Sequence, residues 1–341
     1  MRRTFDFDRV FASRPAILAP MEDVSDAVFR GICRSLGAEL CVTEFVRAEN
    51  LVASCGKELA KIELAKDDSP TAIQIYGSDP RRLAEAASIA ERAEPAFIDV
   101  NCGCWVPKVA RGGAGAGWLR VPDAMVAMAK MVVSRVALPV TVKTRIGWGE
   151  EDEMPIVDLA RRLEDAGVRA LTIHCRTAKM GHAGAADWSW ARKAQQAVTI
   201  PVIVNGDVRS SNDAHRALAL AGCAGVMIGR RAIEHPWIFR ETRARLDHAA
   251  RVPSPTLDER FALCRVHLLA MQRDRGERRA VRAMRRAYPG YLRTLPDLPT
   301  LIAELNAIPT VQGALDALDR AHEDVQGQSW PTAVATGSLY Q

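Results

Sequence analysis

Short runs of apolar and β-branched residues recur at a nearly constant spacing along the first two thirds of the chain. The eight runs begin at residues 16, 40, 71, 97, 139, 170, 201 and 225. A new run therefore starts about every 30 residues, which is the length of a βα unit. Amphipathic helical patterns lie between them, for example at 79–93 and 154–167. This pattern predicts an α/β fold, a (β/α)8 TIM barrel, with an open doubly wound sheet as the alternative.

The strand pattern ends after Phe239, and the chain then changes character. A proline-containing segment at 251–256 precedes a region of helical patterning. We therefore assign residues 1–245 to a barrel domain and residues 256–325 to a small C-terminal helical domain. Residues 326–341 are polar and patternless, and we expect them to form a disordered tail.

Composition places the chain among ordinary soluble proteins, with 48% hydrophobic and 26% charged residues. No apolar stretch approaches the roughly 18 residues of a membrane span, and charges interrupt the N-terminal segment where a signal peptide would be apolar. We expect a cytoplasmic protein that neither contacts a membrane nor needs an obligate protein partner.

The cysteines predict neither a disulfide framework nor a metal site. The chain has eight cysteines, and Cys102 and Cys104 form a CxC without a second pair nearby. Most of the others lie in apolar surroundings typical of inert core thiols: Cys33, Cys41, Cys223 and Cys264.

Charge is concentrated in the predicted helical domain. Between Arg260 and Arg293 there are ten arginines against two acids, Asp274 and Glu277. The arginines are at positions 260, 265, 273, 275, 278, 279, 282, 285, 286 and 293. Such a helical surface is typical of phosphate binding, although a merely solvated face would show the same composition.

Polar residues cluster at the ends of the predicted strands, where a TIM barrel carries its active site. Because side chains alternate along a strand, Lys143 and Arg145 should point into the barrel, together with His174 and Arg176. The alternate residues Val142, Leu171, Ile173 and Cys175 should face the helices. Four cations delivered to one mouth by two adjacent strands predict an anionic cofactor and an anionic substrate.

Glycines after the last two strands predict a phosphate site. Barrels often bind phosphate in these loops, here at Gly206, Gly229 and Arg230. The glycine-rich segment 111–117 does not complete a dinucleotide fingerprint, because Trp118 occupies the position of its third glycine. We interpret that segment as a flexible loop beside the site.

These segments resemble the tRNA-dihydrouridine synthases, a family of flavin-dependent enzymes, in the same order along nearly the whole chain. The similar segments are APM (19–21), LCVTEFVRA (40–48), IQIYGSDP (73–80), DVNCGC (99–104), VKTRIGW (142–148), TIHCRT (172–177), PVIVNGDV (201–208), MIGRRA (227–232) and HPWIFRE (235–241).

The resemblance implies FMN as bound cofactor and NADPH as reductant. It assigns the flavin to Pro20, Met21, Glu22, Gln74, Lys143 and His174. It assigns the flavin phosphate to Asn205, Gly206, Asp207, Gly229 and Arg230.

The resemblance also implies transfer RNA as substrate, with Cys104 as the proton donor and Asn101 as a hydrogen-bonding partner of the uracil. The RNA-contacting positions that it implies are Arg47, Arg145, Arg176, Arg285 and Arg286, with Lys108 and Arg111 on a mobile loop.

Two departures from the family pattern keep alternatives open. Trp105 follows the cysteine where the family usually has proline, and the segment 284–292 lacks the family's usual Lys/Arg–His pair. One alternative is a flavin-dependent TIM-barrel oxidoreductase acting on a small molecule. The other is a catalytically silent RNA-binding relative.

Overall fold

The computed structural model describes residues 5–65, 68–149, 154–249 and 252–327. The chain forms two compact units, divided between Val252 and Pro253. Among the described residues, no helix combines the length and apolarity required to span a membrane. The predicted tail lies outside the described residues from position 328 onward.

The first unit contains one parallel sheet that closes on itself. Its strands, within the described residues, are β1 (Ala16–Leu18), β2 (Leu40–Val42), β3 (Val46–Arg47), β4 (Thr71–Tyr76), β5 (Ile98–Cys102), β6 (Val140–Arg145), β7 (Ala170–His174), β8 (Val202–Asn205) and β9 (Gly225–Ile228). Pairing of β2 with both β1 and β4 closes eight strands into a barrel, and the short β3 extends the sheet beside β4. The predicted TIM barrel is confirmed, and the open doubly wound sheet is excluded.

Helices surround this barrel in the described residues of the first unit. They are α1 (Phe7–Ala12), α2 (Ala27–Ser35), α3 (Ala48–Val52), α4 (Gly56–Ile62), α5 (Pro80–Glu91), α6 (Pro107–Ala110), the 3₁₀ helix Gly115–Arg120, α7 (Pro122–Val133), α8 (Ile156–Asp165), α9 (Ser189–Ala197), α10 (Ser211–Ala221), α11 (Arg230–Glu234) and α12 (Ile238–Leu246). Local chemistry fixes several starts: Asp79 accepts hydrogen bonds from the first turn of α5, and Ser210 caps α10 in the same way.

Side-chain alternation divides the barrel residues into two layers. Val142, Leu171, Ile173 and Cys175 join the apolar layer between strands and helices, as the alternation predicts. A separate apolar cluster fills the barrel interior at the N-terminal ends of the strands. Helix α1 contributes Phe7 and Phe11 to it, and the Phe7 ring lies 5.7 Å from that of Phe97. The polar residues predicted from the sequence lie beyond this cluster, towards the carboxyl ends of the strands.

The second unit is helical in its described residues. Its helices are α13 (Leu257–Arg275), α14 (Glu277–Met284), α15 (Tyr288–Tyr291), α16 (Leu298–Ala307) and α17 (Val311–Gly327). A capping box of Thr256 and Glu259 starts α13. Arg260 is buried and donates to the carbonyl of Tyr291 at 2.9 Å, so this arginine belongs to the core of the unit and not to its charged surface.

Candidate active site

Strand register brings the predicted polar residues together at the carboxyl mouth of the barrel. Lys143 on β6 lies opposite Asn101 on β5. Arg145 lies opposite His174 on β7, and His174 lies opposite Asn205 on β8. These four strands are consecutive in the barrel, so their polar ends form one continuous wall.

Lys143 is a cation with few partners. Within the described residues its ammonium makes one hydrogen bond, a long one of 3.4 Å to Oδ1 of Asn205. Burial, followed by repulsion from Arg145, lowers the pKa of Lys143 to about 8, and the charge of Asp99 acts in the opposite direction. An ammonium group has three donors, so Lys143 can still bind an anionic or carbonyl acceptor.

Arg145 connects two loops at the mouth. Its Nε donates to the carbonyl of Gly103 at 2.9 Å, and its Nη1 donates to the carbonyls of Thr177 and Gly181, both at 2.8 Å. The side chain is only 2% exposed. This geometry favours a role in holding the loops after β5 and β7, and RNA contact by Arg145 stays a prediction.

Arg176 has a comparable position two residues beyond the end of β7. Its Nη2 donates to the carbonyl of Gly184 at 2.7 Å and to Oδ2 of Asp207 at 2.6 Å. Its Nε donates to the carbonyl of Ala183 at 3.1 Å, and the side chain is 1% exposed. Arg176 thus ties the β7–α9 loop to the end of β8, and its predicted RNA contact is likewise untested.

His174 is neutral in this environment, which corrects our expectation of four cations at the mouth. Burial, and then the charges of Arg145, Lys143 and Arg176, hold its pKa far below the usual range. Nη1 of Arg176 lies 3.3 Å from Nε2 of His174. Because a guanidinium can only donate, Nε2 accepts and the ring proton is on Nδ1.

The predicted phosphate loops lie side by side after β8 and β9. Gly206 has a φ of +117°, and a Cβ there would lie 2.8 Å from the Cβ of Ala186. A Cβ added at Gly229, by contrast, would have no neighbour closer than 3.7 Å. Arg230 is half exposed, with its Nη2 3.8 Å from Oδ1 of Asp207. One tight glycine turn at Gly206, open space at Gly229 and the cation of Arg230 are a suitable environment for a phosphate.

The loop after β1 carries the remaining predicted flavin positions. Pro20, Met21 and Glu22 are all half-buried there. Oε1 of Glu22 accepts from Nζ of Lys61 at 2.8 Å. Glu44 on the neighbouring loop is buried, and burial raises its pKa although Lys61 acts in the opposite direction.

Cys104 follows β5, and its thiol is half-buried beside the cationic wall. Burial raises the pKa of the Cys104 thiol, although the backbone N–H of Val106 and the charges of Arg145 and Lys143 oppose that rise. The group is therefore a protonated thiol at neutral pH. Oδ1 of Asn101 accepts from the backbone N–H groups of Gly103 at 3.0 Å and Cys104 at 2.9 Å.

The glycine-rich segment 111–117 packs directly against the Cys104 backbone. Its second half belongs to the buried 3₁₀ helix Gly115–Arg120, so our interpretation as a flexible loop is corrected for residues 115–117. Gly115 has a φ of +56°, and a Cβ there would lie 2.7 Å from the carbonyl oxygen of Cys104. The glycines are needed because the two backbones approach closely.

Gly115→Ala should destabilise the protein by about 2 to 4 kcal/mol, through left-handed strain and overpacking. Urea denaturation measures this change. Gly112→Ala is the matched control, because Gly112 lacks a positive φ and its nearest neighbour would lie at an ordinary 3.5 Å. Equal stability of the two variants would contradict the assignment.

Trp105 lies across the gap between the loop after β5 and the loop after β7. Its indole covers the backbone of Gly181, where a Cβ would be 3.3 Å from three ring atoms, and it meets His182 edge-on at 5.6 Å. Burial and the nearby arginines lower the pKa of His182 to about 4, so the ring is neutral at physiological pH. The side chain of Trp105 is 36% exposed. An uncharged aromatic edge therefore borders the cationic mouth.

The other predicted residues have three kinds of location. Lys108, Arg111 and Arg47 are exposed, and Nε of Arg47 donates to Oε2 of Glu49 at 3.1 Å. Gln74 is fully buried inside the barrel. Arg285 and Arg286 are exposed residues of the second unit, directly after α14.

Sequence reasoning missed Asp99 and His182. Asp99 is 2% exposed and accepts from Nε2 of Gln74 at 2.6 Å and from Oγ1 of Thr141 at 2.5 Å. Its position two residues before Asn101 places it on the same inward face, so strand alternation could have identified it. His182 lies in an irregular loop, where no periodic signal exists.

Comparison with known proteins identifies relatives over most of the chain. The family model described as dihydrouridine synthase matches residues 17–326. The tRNA-dihydrouridine synthase B of Vibrio cholerae serotype O1 is 34% identical over 91% of this chain and 96% of its own length. A probable tRNA-dihydrouridine synthase 1 of Synechocystis sp. is 35% identical over 89% of this chain and 85% of its own length. The tRNA-dihydrouridine synthase B of Pseudomonas aeruginosa is 36% identical over 86% of this chain and 88% of its own length.

Proposed function

The chain belongs to the dihydrouridine synthase family of FMN-dependent oxidoreductases, and on this premise we propose that it reduces the C5=C6 bond of a D-loop uridine in transfer RNA, with FMN as bound cofactor and NADPH as reductant. The observation that carries the proposal is the mouth of the barrel. There a half-buried protonated thiol at Cys104 adjoins the half-buried ammonium of Lys143, which makes a single long hydrogen bond within the described residues.

The mouth fits a flavin mononucleotide in its charges and in its shape. Lys143 retains donors for the electron-rich edge of a flavin ring, and neutral His174 offers an Nδ1–H. The glycine turns at Gly206 and Gly229 leave backbone N–H groups and Arg230 for the phosphate. We therefore assign FMN to Pro20, Met21, Glu22, Gln74, Lys143, His174, Asn205, Gly206, Asp207, Gly229 and Arg230.

The residues of the chain supply a proton and electrostatic stabilisation. When bound, the reduced flavin supplies a hydride to C6 of the uracil. Cys104 donates the proton at C5, which its thiol can do because burial keeps it protonated. Lys143 stabilises the negative charge that the cofactor carries in its reduced form. Arg145 and Arg176 hold the loops that surround these groups.

The proposal is tested by incubating unmodified tRNA with the purified protein, FMN and NADPH. Mass spectrometry of the digested tRNA should show one uridine that has gained two hydrogens. Reduction of free uridine with no change in tRNA would instead favour a small-molecule oxidoreductase. NADPH consumption without dihydrouridine in either substrate would favour the catalytically silent RNA-binding relative. The sequence feature that suggests this alternative is Trp105, which replaces the family's usual proline.

A target base inside folded tRNA reaches a barrel mouth only if it leaves its stack, at a cost of a few kcal/mol. Contacts between cations and phosphates offset such a cost and position the RNA. We assign this task to the exposed arginines around α14, which include Arg278, Arg282, Arg285 and Arg286. Lys108 and Arg111 are assigned the same task beside Cys104.

The double variant Arg285→Ala/Arg286→Ala should bind tRNA more weakly and with a smaller salt dependence. Each lost phosphate contact lowers the slope of log K against log salt by about 1. Fluorescence anisotropy of labelled tRNA at several salt concentrations measures both quantities. The double variant Arg92→Ala/Arg135→Ala is the control, because these exposed arginines follow α5 and α7 at the barrel end opposite the mouth. An unchanged slope in the first variant would remove the arginine surface from the proposal.

A further inference from the structure

Three buried polar side chains form a chain of hydrogen bonds from the barrel interior to the backbone of Cys104. Asp99 accepts from Nε2 of Gln74 at 2.6 Å. Oε1 of Gln74 accepts from Nδ2 of Asn101 at 2.9 Å. Oδ1 of Asn101 accepts from the N–H groups of Gly103 and Cys104. We call the three side chains Asp99, Gln74 and Asn101 the relay.

The orientation of each amide in the relay follows from the backbone N–H groups at its upper end. The N–H groups of Gly103 and Cys104 can only donate, so the Asn101 atom that they share must be its oxygen. The Asn101 nitrogen then faces Gln74 and requires an oxygen there. The Gln74 nitrogen consequently faces position 99, where only an acceptor can complete the series.

Asp99 is that acceptor, and water cannot easily replace it. The exposed fractions of Gln74, Asp99 and Asn101 are 0%, 2% and 6%. A buried amide nitrogen without a partner carries a full desolvation cost, so losing the acceptor would weaken the preference for the observed amide orientations over the reversed ones. In the reversed state the Asn101 nitrogen would face the N–H groups of Gly103 and Cys104, and donor would meet donor.

We propose that Asp99 and Gln74 are positioning residues for Cys104: the acceptor at position 99 sets the orientation of the relay amides, and the relay holds the Cys104 loop against the end of β5. This inference deepens the proposed function, because it rests on Cys104 as the proton donor whose position matters. Its structural content, the placement of the loop, can be measured without turnover.

A competing explanation is that Asp99 acts by charge alone, as the counter-ion of Lys143. Two variants separate the explanations. Asp99→Asn removes the charge but keeps an acceptor, because the new amide oxygen can face Gln74 while its nitrogen donates to the hydroxyl of Thr141. Asp99→Leu removes both the charge and the acceptor at similar volume.

The readout is the rate at which iodoacetamide alkylates Cys104 in the full-length protein, followed by mass spectrometry of its peptide. We expect Asp99→Leu to raise this rate about tenfold, as the loss of one ordinary hydrogen bond would. Asp99→Asn should leave it unchanged. Cys55, the other half-exposed cysteine, lies before α4 and is the internal control whose rate should stay constant.

Gln74→Met tests the proposal if Asp99→Leu does not fold. It removes the hydrogen bonds of Gln74 to Asp99 and Asn101 and keeps a side chain of similar shape. It should raise the alkylation rate of Cys104 to a similar extent. The proposal is overturned if Asp99→Asn labels as fast as Asp99→Leu, since charge would then be the cause. It is also overturned if neither Asp99→Leu nor Gln74→Met changes the rate.

Turnover of tRNA provides the second arm. If the proposed function holds, Asp99→Leu should lower kcat about tenfold with KM for tRNA unchanged, and Asp99→Asn should restore kcat. Absence of dihydrouridine with the unaltered protein and with every variant would refute the proposed function. The alkylation rates would then still test the role of the relay.

Discussion

Cys104→Ala should lower the rate of dihydrouridine formation by about 10²- to 10⁴-fold, the range that a positioned general acid contributes. The thiol lies on the loop after β5 beside Lys143 and Arg145, and its burial keeps it protonated at neutral pH. Alanine removes the proton donor and leaves the backbone contacts of residue 104 to Asn101 and Ala116 in place. Single-turnover mass spectrometry of tRNA measures the loss.

The control for this prediction is Cys55→Ala, which removes the other half-exposed thiol far from β5 in the sequence. We expect that variant to match the unaltered protein. Oxidation of NADPH in the absence of tRNA should persist in Cys104→Ala, because that half-reaction does not need the acid. A Cys104→Ala protein that forms dihydrouridine at the full rate would show that another group supplies the proton.

Strand periodicity explains why so much of the site could be predicted. Successive side chains of a β-strand point to opposite faces of the sheet. In the segment Lys143, Thr144, Arg145, alternation therefore predicts that Lys143 and Arg145 share one face. The carboxyl ends of the strands in a closed parallel barrel meet at one mouth, so these residues become neighbours without any knowledge of the loops. The observed register, with Arg145 opposite His174, agrees with that expectation.

The partners of these residues could not be predicted, because they belong to irregular segments. Arg145 donates to the carbonyls of Gly103, Thr177 and Gly181, which lie in loops with no periodic pattern. Likewise, the need for glycine at 115 arises only from its contact with Cys104. The sequence identified the charged groups, and the loop paths decide which of them remain accessible to a ligand.

Lys143→Met should lower the rate of uridine reduction by about 10²- to 10³-fold, comparable to the removal of one preorganised donor in an electrostatic site. Methionine keeps the apolar stem and removes the ammonium that has only Asn205 as a hydrogen-bonding partner within the described residues. FMN affinity, measured by flavin fluorescence, should fall as well. Lys193→Met, at an exposed position on α9 over the ring of Trp190, is the matched control.

The pH dependence provides an independent check on Lys143. Burial and Arg145 lower its pKa to about 8, and the protonated form is the active one, so activity should fall as pH rises through that value. A bound anion favours the protonated lysine, which places the fall at or above pH 8. Lys143→Met should lack this fall and keep only the loss that follows deprotonation of Cys104, whose pKa burial raises above its usual value. If the two pH profiles coincide, the ammonium is not the titrating group, and stabilisation of the reduced cofactor must come from His174 and the backbone donors of the glycine turns.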